Sequence, residues 1–307
     1  MNDLPAVYTI VLNWNGLDDT RECLNSLRSV PYGNNRIVVI DNGSKEDEAA
    51  QLREEFGDFV HVLRSETNRG FAGGVNVGIR HALKQGTDYV LLLNNDTVVH
   101  PGFLSALVEA AEALRDVAAV CPKTYFHDKP DVIYSTGGRV SLWRGVAWQI
   151  GRGQVDRGQF DEIDVRDYAD GVCMLIPRRA LERVGLFDEE YFLYWEETDW
   201  CVRARREGLV SYYVPSARIW HKAERSRSAD ARFHYLYRRS ALLFVRKRGG
   251  ALPLASALLM HLLVYGPAYF LRHPTHVSRA LAELRALFWH AGNQRARVAV
   301  IVNEDSL

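Results

Sequence analysis

The run Tyr89-Val90-Leu91-Leu92-Leu93 carries no charge and no polar alternation, and it stops abruptly at Asn94, Asn95 and Asp96. A run of that kind fits a strand buried on both faces of a parallel sheet, where alternation disappears. Open sheets of this type bind ligands outside the carboxyl ends of their strands, so the polar end of the run falls at the ligand edge. A carboxylate there, flanked by amide and hydroxyl oxygens, suits a hard cation carrying a phosphate group. A plainer role competes with this one: Asp96 and Thr97 as caps of a following helix, with Pro101 in its first turn.

The rest of the first half repeats the pattern. Tyr8–Asn13 reads as a strand, and Leu17–Ser29 carries the helical stripe Leu17, Cys23, Leu24 and Leu27. Arg36–Asp41 is a second buried strand that also ends on a carboxylate, followed by a turn at Asn42-Gly43-Ser44 and a helix over Glu46–Phe56. Val60–Leu63 is a short third strand. The glycine-rich segment from Asn68 to Gly78 opens a helix ending near Gly86. After the Tyr89 strand come a helix from Pro101 to about Arg115 and a strand over Ala118–Cys121. Strand and helix alternating through short connections predict an α/β fold with a mostly parallel sheet.

Asp41 at its strand end offers a carboxylate that can accept the N3–H of a uracil or thymine; an Asx-turn closing its own loop is the commoner use of Asp-Asn-Gly-Ser. Gly70, Gly73, Gly74 and Gly78 do not spell G-x-G-x-x-G and do not follow the first strand, which argues against a dinucleotide-binding dehydrogenase. Glycines before a helix still let a ligand approach the backbone, and the helix start favours phosphate.

Taken together, Leu12-Asn13-Trp14-Asn15-Gly16, Asp41-Asn42-Gly43-Ser44, the segment Asn68–Gly78 and Leu91–Thr97, in this order, closely resemble family 2 glycosyltransferases, nearest to the rhamnosyltransferase-like branch. The resemblance implies a GT-A fold, a nucleotide-diphosphate sugar donor, a divalent cation (Mg2+ or Mn2+) and inversion at the anomeric carbon. By position, Asp41 would hold the nucleobase. Asn13, Asn68, Gly70, Phe71, Gly74, Asn76, Asn94 and Asn95 would lie beside the donor. Asp96 would end the D-x-D-type element and contact metal and diphosphate. Asn94 stands where many members have an acid, so metal affinity should fall or another ligand must contribute.

In the second half, the segments around Val132–Trp143 and Val146–Gly153 suggest strands around glycine turns. Trp143 and Trp148 could stack on sugars, though packing on the sheet is the commoner use. Cys173–Pro177 reads as a buried strand and Arg178–Val184 as a short helix. Glu196, Glu197 and Asp199 then follow an aromatic run. An acidic helix N-terminus with an Asp199–Arg203 ion pair accounts for Asp199. It does not account for two adjacent glutamates behind Tyr194-Trp195, where a desolvated carboxylate would have a raised pKa and could act as a base. In the resembled family this position reads acid-Asp-x-Asp and the second acid is the general base. That points to Glu197, one methylene longer than Asp, with Glu196 second and placed to contact acceptor hydroxyls. A lone histidine is usually no ligand, but family members often carry one at the position of His221, where it completes the metal site in some.

The composition changes after residue 224. Eight basic residues from Arg225 to Arg248 precede Gly249–Leu271, which holds no charged residue. A membrane-surface helical hairpin, a spanning helix and a soluble helical appendage all fit that length, and the basic lead-in suits an anionic leaflet. Ser278–Trp289 carries an amphipathic stripe, and Val298–Val302 is a short apolar run. The expected division is a catalytic domain over 1–235, with a nucleotide-sugar half (1–122) and an acceptor and catalytic half (123–235), and a helical, membrane-associating region over 236–307.

The chain of 307 residues has 38 basic and 38 acidic residues, which argues against a nucleic-acid partner. Its four cysteines lack metal-ligand spacing and read as buried thiols of a reducing compartment. The N-terminus lacks the features of a signal peptide. The expected protein is therefore cytoplasmic, peripheral at the inner face of the plasma membrane. It would transfer a sugar, dTDP-L-rhamnose being the first donor by branch and UDP- or GDP-sugars next. The acceptor would be a saccharide or lipid-linked hydroxyl in cell-surface polysaccharide synthesis. A non-catalytic nucleotide-sugar sensor or scaffold is the rival from another class. A nucleotidyltransferase would need a G-x-G-rich loop after the first strand, which Asn13–Gly16 does not provide.

Overall fold

The computed structural model describes residues 4–223 and 231–272, with Leu281, Ala282, Arg285, Ala286 and Trp289 beyond them. The first half runs β1 (Val7–Asn13), α1 (Leu17–Leu27), β2 (Asn35–Asp41), α2 (Glu48–Phe56), β3 (Val60–Arg64), α3 (Gly70–Lys84), β4 (Tyr89–Asn94), β5 (Thr97–Val99), α4 (Phe103–Ala113) and β6 (Val117–Phe126). The second half adds β7 (Ile133–Ser135), β8 (Gly138–Ser141), β9 (Val146–Gln149), β10 (Asp164–Arg166), β11 (Cys173–Pro177), α5 (Arg178–Val184), α6 (Glu196–Arg206) and β12 (Val210–His221). Three more helices follow, α7 (Ala231–Arg248), α8 (Ala251–Met260) and α9 (Gly266–Arg272), the last two joined by a π-helical turn over His261–Tyr265. The amphipathic stripe at Ser278–Trp289 falls mostly, and the run at Val298–Val302 wholly, outside the described residues.

One ten-stranded sheet organises the chain, its main path β10-β12-β6-β11-β4-β1-β2-β3, with β5 paired to β12 and β7 to β6 off that path. The stretch β4-β1-β2-β3 is parallel throughout. The sheet as a whole is mixed, because β11 enters antiparallel between β4 and β6. Along β4, Leu91 and Leu93 enter one core layer while Val90 and Leu92 enter the other. Burial on both faces is the physical reason that this run shows no alternation. Helices α1, α2 and α4 cover the first layer; α3, α5 and α6 cover the second.

The segment after Asp96 is a strand, not a helix cap. Thr97–Val99 pairs with the far end of β12, with Thr97 opposite His221. Helix α4 starts six residues later, with Gly102 at its cap and no side-chain capping bond. The glycines of α3 serve close packing. A Cβ on Gly70 (φ +71°) would lie 2.2 Å from the Phe192 carbonyl oxygen, and one on Gly74 would lie 2.4 Å from Leu12 Cδ1. Only Gly lets the helix start sit that near both the sheet and the 185–195 loop.

That loop is held from behind by α7. Phe192, Tyr194 and Trp195 all have positive φ, 64°, 67° and 74°, a costly conformation for bulky residues that survives only where neighbours enforce it. Arg239 donates to the carbonyls of Tyr191 and Glu190, and Ser240 Oγ to those of Tyr191 and Leu193. Lys247 Nζ pairs with Asp188 and Glu190. Asp199 closes the clamp: fully buried, it accepts from Tyr191 OH at 2.8 Å, from Arg203 Nε at 3.0 Å and from Arg248 Nε at 2.6 Å. The ion pair expected between Asp199 and Arg203 is present, and Arg248 joins it across the fold. Removing the carboxylate leaves two guanidinium groups partnered only in part. Asp199→Ala is expected to lower unfolding free energy by about 3–5 kcal/mol, read from the urea midpoint.

Candidate active site

Strand register places the polar strand ends on one edge. Asn13 pairs with Asp41 across β1 and β2, and Leu12 with Asn94 across β1 and β4. Antiparallel β11 brings its beginning to the same edge: Cys173 lies opposite Leu93, and Asn94 N donates to Val172 O. Just upstream, a Cβ on Gly171 would lie 3.4 Å from Glu197 Cγ. Asp41, Asn94 and Glu197 thus follow one another along a front of neighbouring strands β2, β1, β4 and β11. At about 4.8 Å per strand the front spans on the order of 15 Å.

Asp41 is fully buried. Its Oδ1 accepts from Ser44 N at 3.1 Å, closing the local turn, while Oδ2 lies 3.4 Å from Arg64 Nε without a hydrogen bond. Turn closure therefore leaves Oδ2 beside the Arg64 guanidinium with no hydrogen bond of its own. Asn68 Oδ1 accepts from Gly70 N and from Asn42 Nδ2, fixing the start of α3, and Phe71 N donates to Phe192 O. Asn95 Nδ2 donates to Thr20 Oγ1 at 2.9 Å.

Two of the expected donor-side residues have both ends of their amides engaged within the fold. Asn13 Nδ2 donates to Glu48 Oε2 at 2.7 Å and its Oδ1 accepts from Thr20. Asn76 donates to Phe187 O and Glu189 Oε1 and accepts from Phe187 N, which ties α3 to the 185–195 loop. Both side chains are buried, so what they show is support for neighbouring segments. Gly70 and Gly74 are likewise accounted for by packing.

Asp96 and His221 are brought together by the β5–β12 pairing. Asp96 precedes Thr97, Thr97 faces His221, and Lys222 N donates to Asp96 O at 3.0 Å. Asp96 Oδ1 lies 3.1 Å from His221 Nε2. The ring is buried, and neither of its nitrogens makes a hydrogen bond within the described residues. Two ligand atoms at right angles around a cation, with bonds of about 2.1 Å, are separated by about 3.0 Å. The pair therefore fits neighbouring positions on one small divalent ion. No third His, Cys, Asp or Glu forms a cluster with them among the described residues. Mg2+-like ions commonly take one or two protein ligands and complete their shell with phosphate and water.

The two glutamates differ in exposure. Glu196 is buried with Oε2 unpartnered, and burial, reinforced by Glu197, raises its pKa well above the usual range. Glu197 is half-buried, and burial together with nearby Asp170 pushes it up to about 7. Asp170 is held by Val172 N at 3.1 Å and Gln149 Nε2 at 2.7 Å. Sequence reasoning missed it. Its sequence signal is Asp170-Gly171 directly before an apolar run, and because β11 runs antiparallel to β4 it is the N-terminal end of that run that reaches this edge.

The family model described as "Glycosyl transferase family 2" matches residues 8–185. The low-salt glycan biosynthesis hexosyltransferase of Haloferax volcanii is 28% identical over 208 residues, 67% of this chain and 64% of that protein. The N-acetylglucosaminyl-diphospho-decaprenol L-rhamnosyltransferase of Mycobacterium tuberculosis is 27% identical over 234 residues, 69% of this chain and 75% of that protein. Among solved structures, a mannosyltransferase from Pyrobaculum calidifontis in complex with GDP-Man and Mn2+ superposes with a TM-score of 0.59 at 16% identity, covering 95% of this chain and 89% of that one. A GalNAc transferase with UDP, GalNAc and Mn2+ gives 0.62 at 16% identity, covering 80% and 48%. At that identity the structural likeness shows the fold.

A carboxyl whose folded pKa is raised stabilises the fold below its unfolded pKa, near 4.5, and that contribution is lost as pH rises through about 7. Relative to Glu197→Gln, the wild-type protein is expected to lose stability between pH 5 and 8. Discounted for partial exposure, the loss is on the order of 2 kcal/mol, measured as the difference between their urea midpoints at each pH.

Proposed function

The chain belongs to glycosyl transferase family 2, and from that premise we propose that it is an inverting transferase using a nucleotide-diphosphate sugar. The observation that carries the reading is the shared edge: Asp41, Asp96 with His221, and Glu197 beside Asp170 all border one front of strand ends. Asp41 Oδ2 supplies the acceptor for a base N3–H. Asp96 and His221 would hold the divalent ion. That ion, when bound, offsets negative charge on the departing diphosphate.

Glu197 acts as general base. With a pKa near 7 it exists in both protonation states at neutral pH, the condition under which proton transfer is efficient. It takes the proton of an acceptor hydroxyl while that oxygen bonds to the anomeric carbon. The bond from that carbon to the diphosphate oxygen breaks, and the nucleoside diphosphate leaves with the electron pair. Accessibility favours Glu197 over Glu196, whose carboxyl burial shifts toward the neutral form.

The donor we propose first is dTDP-L-rhamnose, supported by the mycobacterial L-rhamnosyltransferase and by a dTDP-rhamnosyl transferase of Shigella flexneri, 22% identical over 223 residues. The acceptor is a lipid-linked saccharide at the cytoplasmic membrane face. The diphospho-decaprenol in the mycobacterial relative's name supports that choice.

In a panel of nucleotide sugars with Mg2+ or Mn2+, the true donor raises the thermal midpoint because it binds the folded state alone. Glu197→Gln is expected to abolish transfer to acceptor while keeping the donor-induced shift; full activity in this variant moves the base elsewhere, and a donor shift with no transfer by the wild-type chain favours a sensor. His221→Ala is expected to raise the Mn2+ concentration for half-maximal activity by at least about tenfold, and an unchanged requirement removes His221 from the metal site.

A further inference from the structure

The helix formed by α8, the π-helical turn and α9 carries an exposed apolar face. Its polar residues face the protein: Ser256 Oγ donates to Trp143 O at 2.9 Å, buried His261 has Nε2 3.1 Å from Gly145 O, and Tyr265 OH accepts from Arg144 Nε at 2.9 Å. Leu254 and Leu258 pack against the protein, but most of its large apolar side chains face away. Leu252 is 74% exposed, Leu259 56% and Leu263 65%, and Leu262 and Val264 are exposed beside them. Positions 252, 259 and 263 lie within about 40° of one another around a helix, so they form a single stripe. A helix on a water-facing surface shows the reverse arrangement. Trp143, at the tip of the β8–β9 hairpin on which the helix rests, is 58% exposed.

We propose that this stripe and the Trp143 tip lie in the interfacial plane of an anionic lipid bilayer. Charge favours that occupant: the hairpin tip (142–145) and the stretch 249–282 contain three basic residues, Arg144, Arg272 and Arg279, and no acidic one, as an anionic headgroup layer favours. A tryptophan beside an apolar helix face is also the usual residue at headgroup depth. Ala251–Ala268 is long and apolar enough to cross a membrane by composition. Its contacts argue for lying flat instead. From Ser256 to Tyr265, about 14 Å of helix is bonded to the hairpin tip, and a spanning helix would carry Arg144 and the hairpin backbone into hydrocarbon.

The placement deepens the reading of the acceptor and rests on it there. The other end of the same hairpin carries Gln149, whose amide donates to Asp170 next to Glu197. One four-residue strand, on the order of 13 Å, separates the membrane-facing helix from the base. An acceptor hydroxyl held near the headgroups by a lipid diphosphate falls within that reach.

The full chain is expected to co-sediment with vesicles of phosphatidylglycerol and phosphatidylethanolamine, less so with phosphatidylcholine alone, and to be released by salt. The double variant Leu259→Glu/Leu263→Glu is expected to weaken vesicle binding at least tenfold, and Trp143→Ser, outside the helix, to weaken it in the same direction. Both should keep the donor-induced thermal shift and transfer to a soluble acceptor, readouts that report on the transferase reading separately. Wild-type protein that stays in the supernatant overturns the proposal, as do folded variants that sediment like wild type. A lipid-free dimer that the two glutamates convert to monomer overturns it in favour of a second copy on this face.

Discussion

Asp199 is the point where three separate parts of the chain meet. Tyr191 comes from the loop before α6, Arg203 from α6 itself and Arg248 from the end of α7, and all three converge on one carboxylate that water cannot reach. A buried charge is costly unless fully partnered, so this arrangement is stable only when all the parts are in place together. The consequence falls two residues upstream. Glu197 sits in the first turn of α6, whose start is fixed by Trp195 in a left-handed conformation and by a loop that α7 grips through its carbonyls. The position of the proposed base is thus set by a helix far along the chain, and the strain at Phe192, Tyr194 and Trp195 is held where the chemistry needs rigidity.

The fold's parallel half was legible because three of its four strands, β1, β2 and β4, bury both faces and end on a polar residue, as Leu93-Asn94 and Ile40-Asp41 do. Element boundaries there came out within a few residues. The antiparallel half was less legible. Cys173–Pro177 was recognisable as a strand, but nothing in five apolar residues says which way it runs or between which partners. Direction decides which end reaches the ligand edge, so Asp170 was passed over. Three-residue β5 was invisible for a different reason: its pairing with β12 spans over a hundred residues, and Asp96-Thr97 has good local credentials as a cap.

The same distinction separates the site residues. Glu197 was readable because two adjacent acids behind aromatic residues conflict with simple solvation, and Asp199 because its partner Arg203 lies one turn away. Asn13 and Asn76 carry the right residue type on the right segments, yet their amides face Glu48 and Phe187. Sequence gives the position of an amide along an element but not the side to which it points. The glycines of α3 illustrate the ambiguity further, since close approach to Leu12 and Phe192 calls for the same residue as close approach to a phosphate.

Charge at the proposed metal pair has a consequence for the order of events. Asn94 is neutral, His221 contributes at most a neutral imidazole, and among the described residues Asp96 is the carboxylate that faces it. One negative charge against a doubly charged ion leaves the site short of neutrality, and the donor diphosphate is the natural source of the remainder. Ion and donor then favour each other at the site, and by linkage the coupling is reciprocal: whatever the diphosphate adds to ion affinity, the ion adds to donor affinity. A second acid at position 94 would tighten the ion in the empty site and weaken that dependence. With an amide there, cation binding at the proposed pair would be a property of the donor complex, and His221, packed edge-on against Tyr134, would bring to it nitrogens that make no hydrogen bond within the described residues.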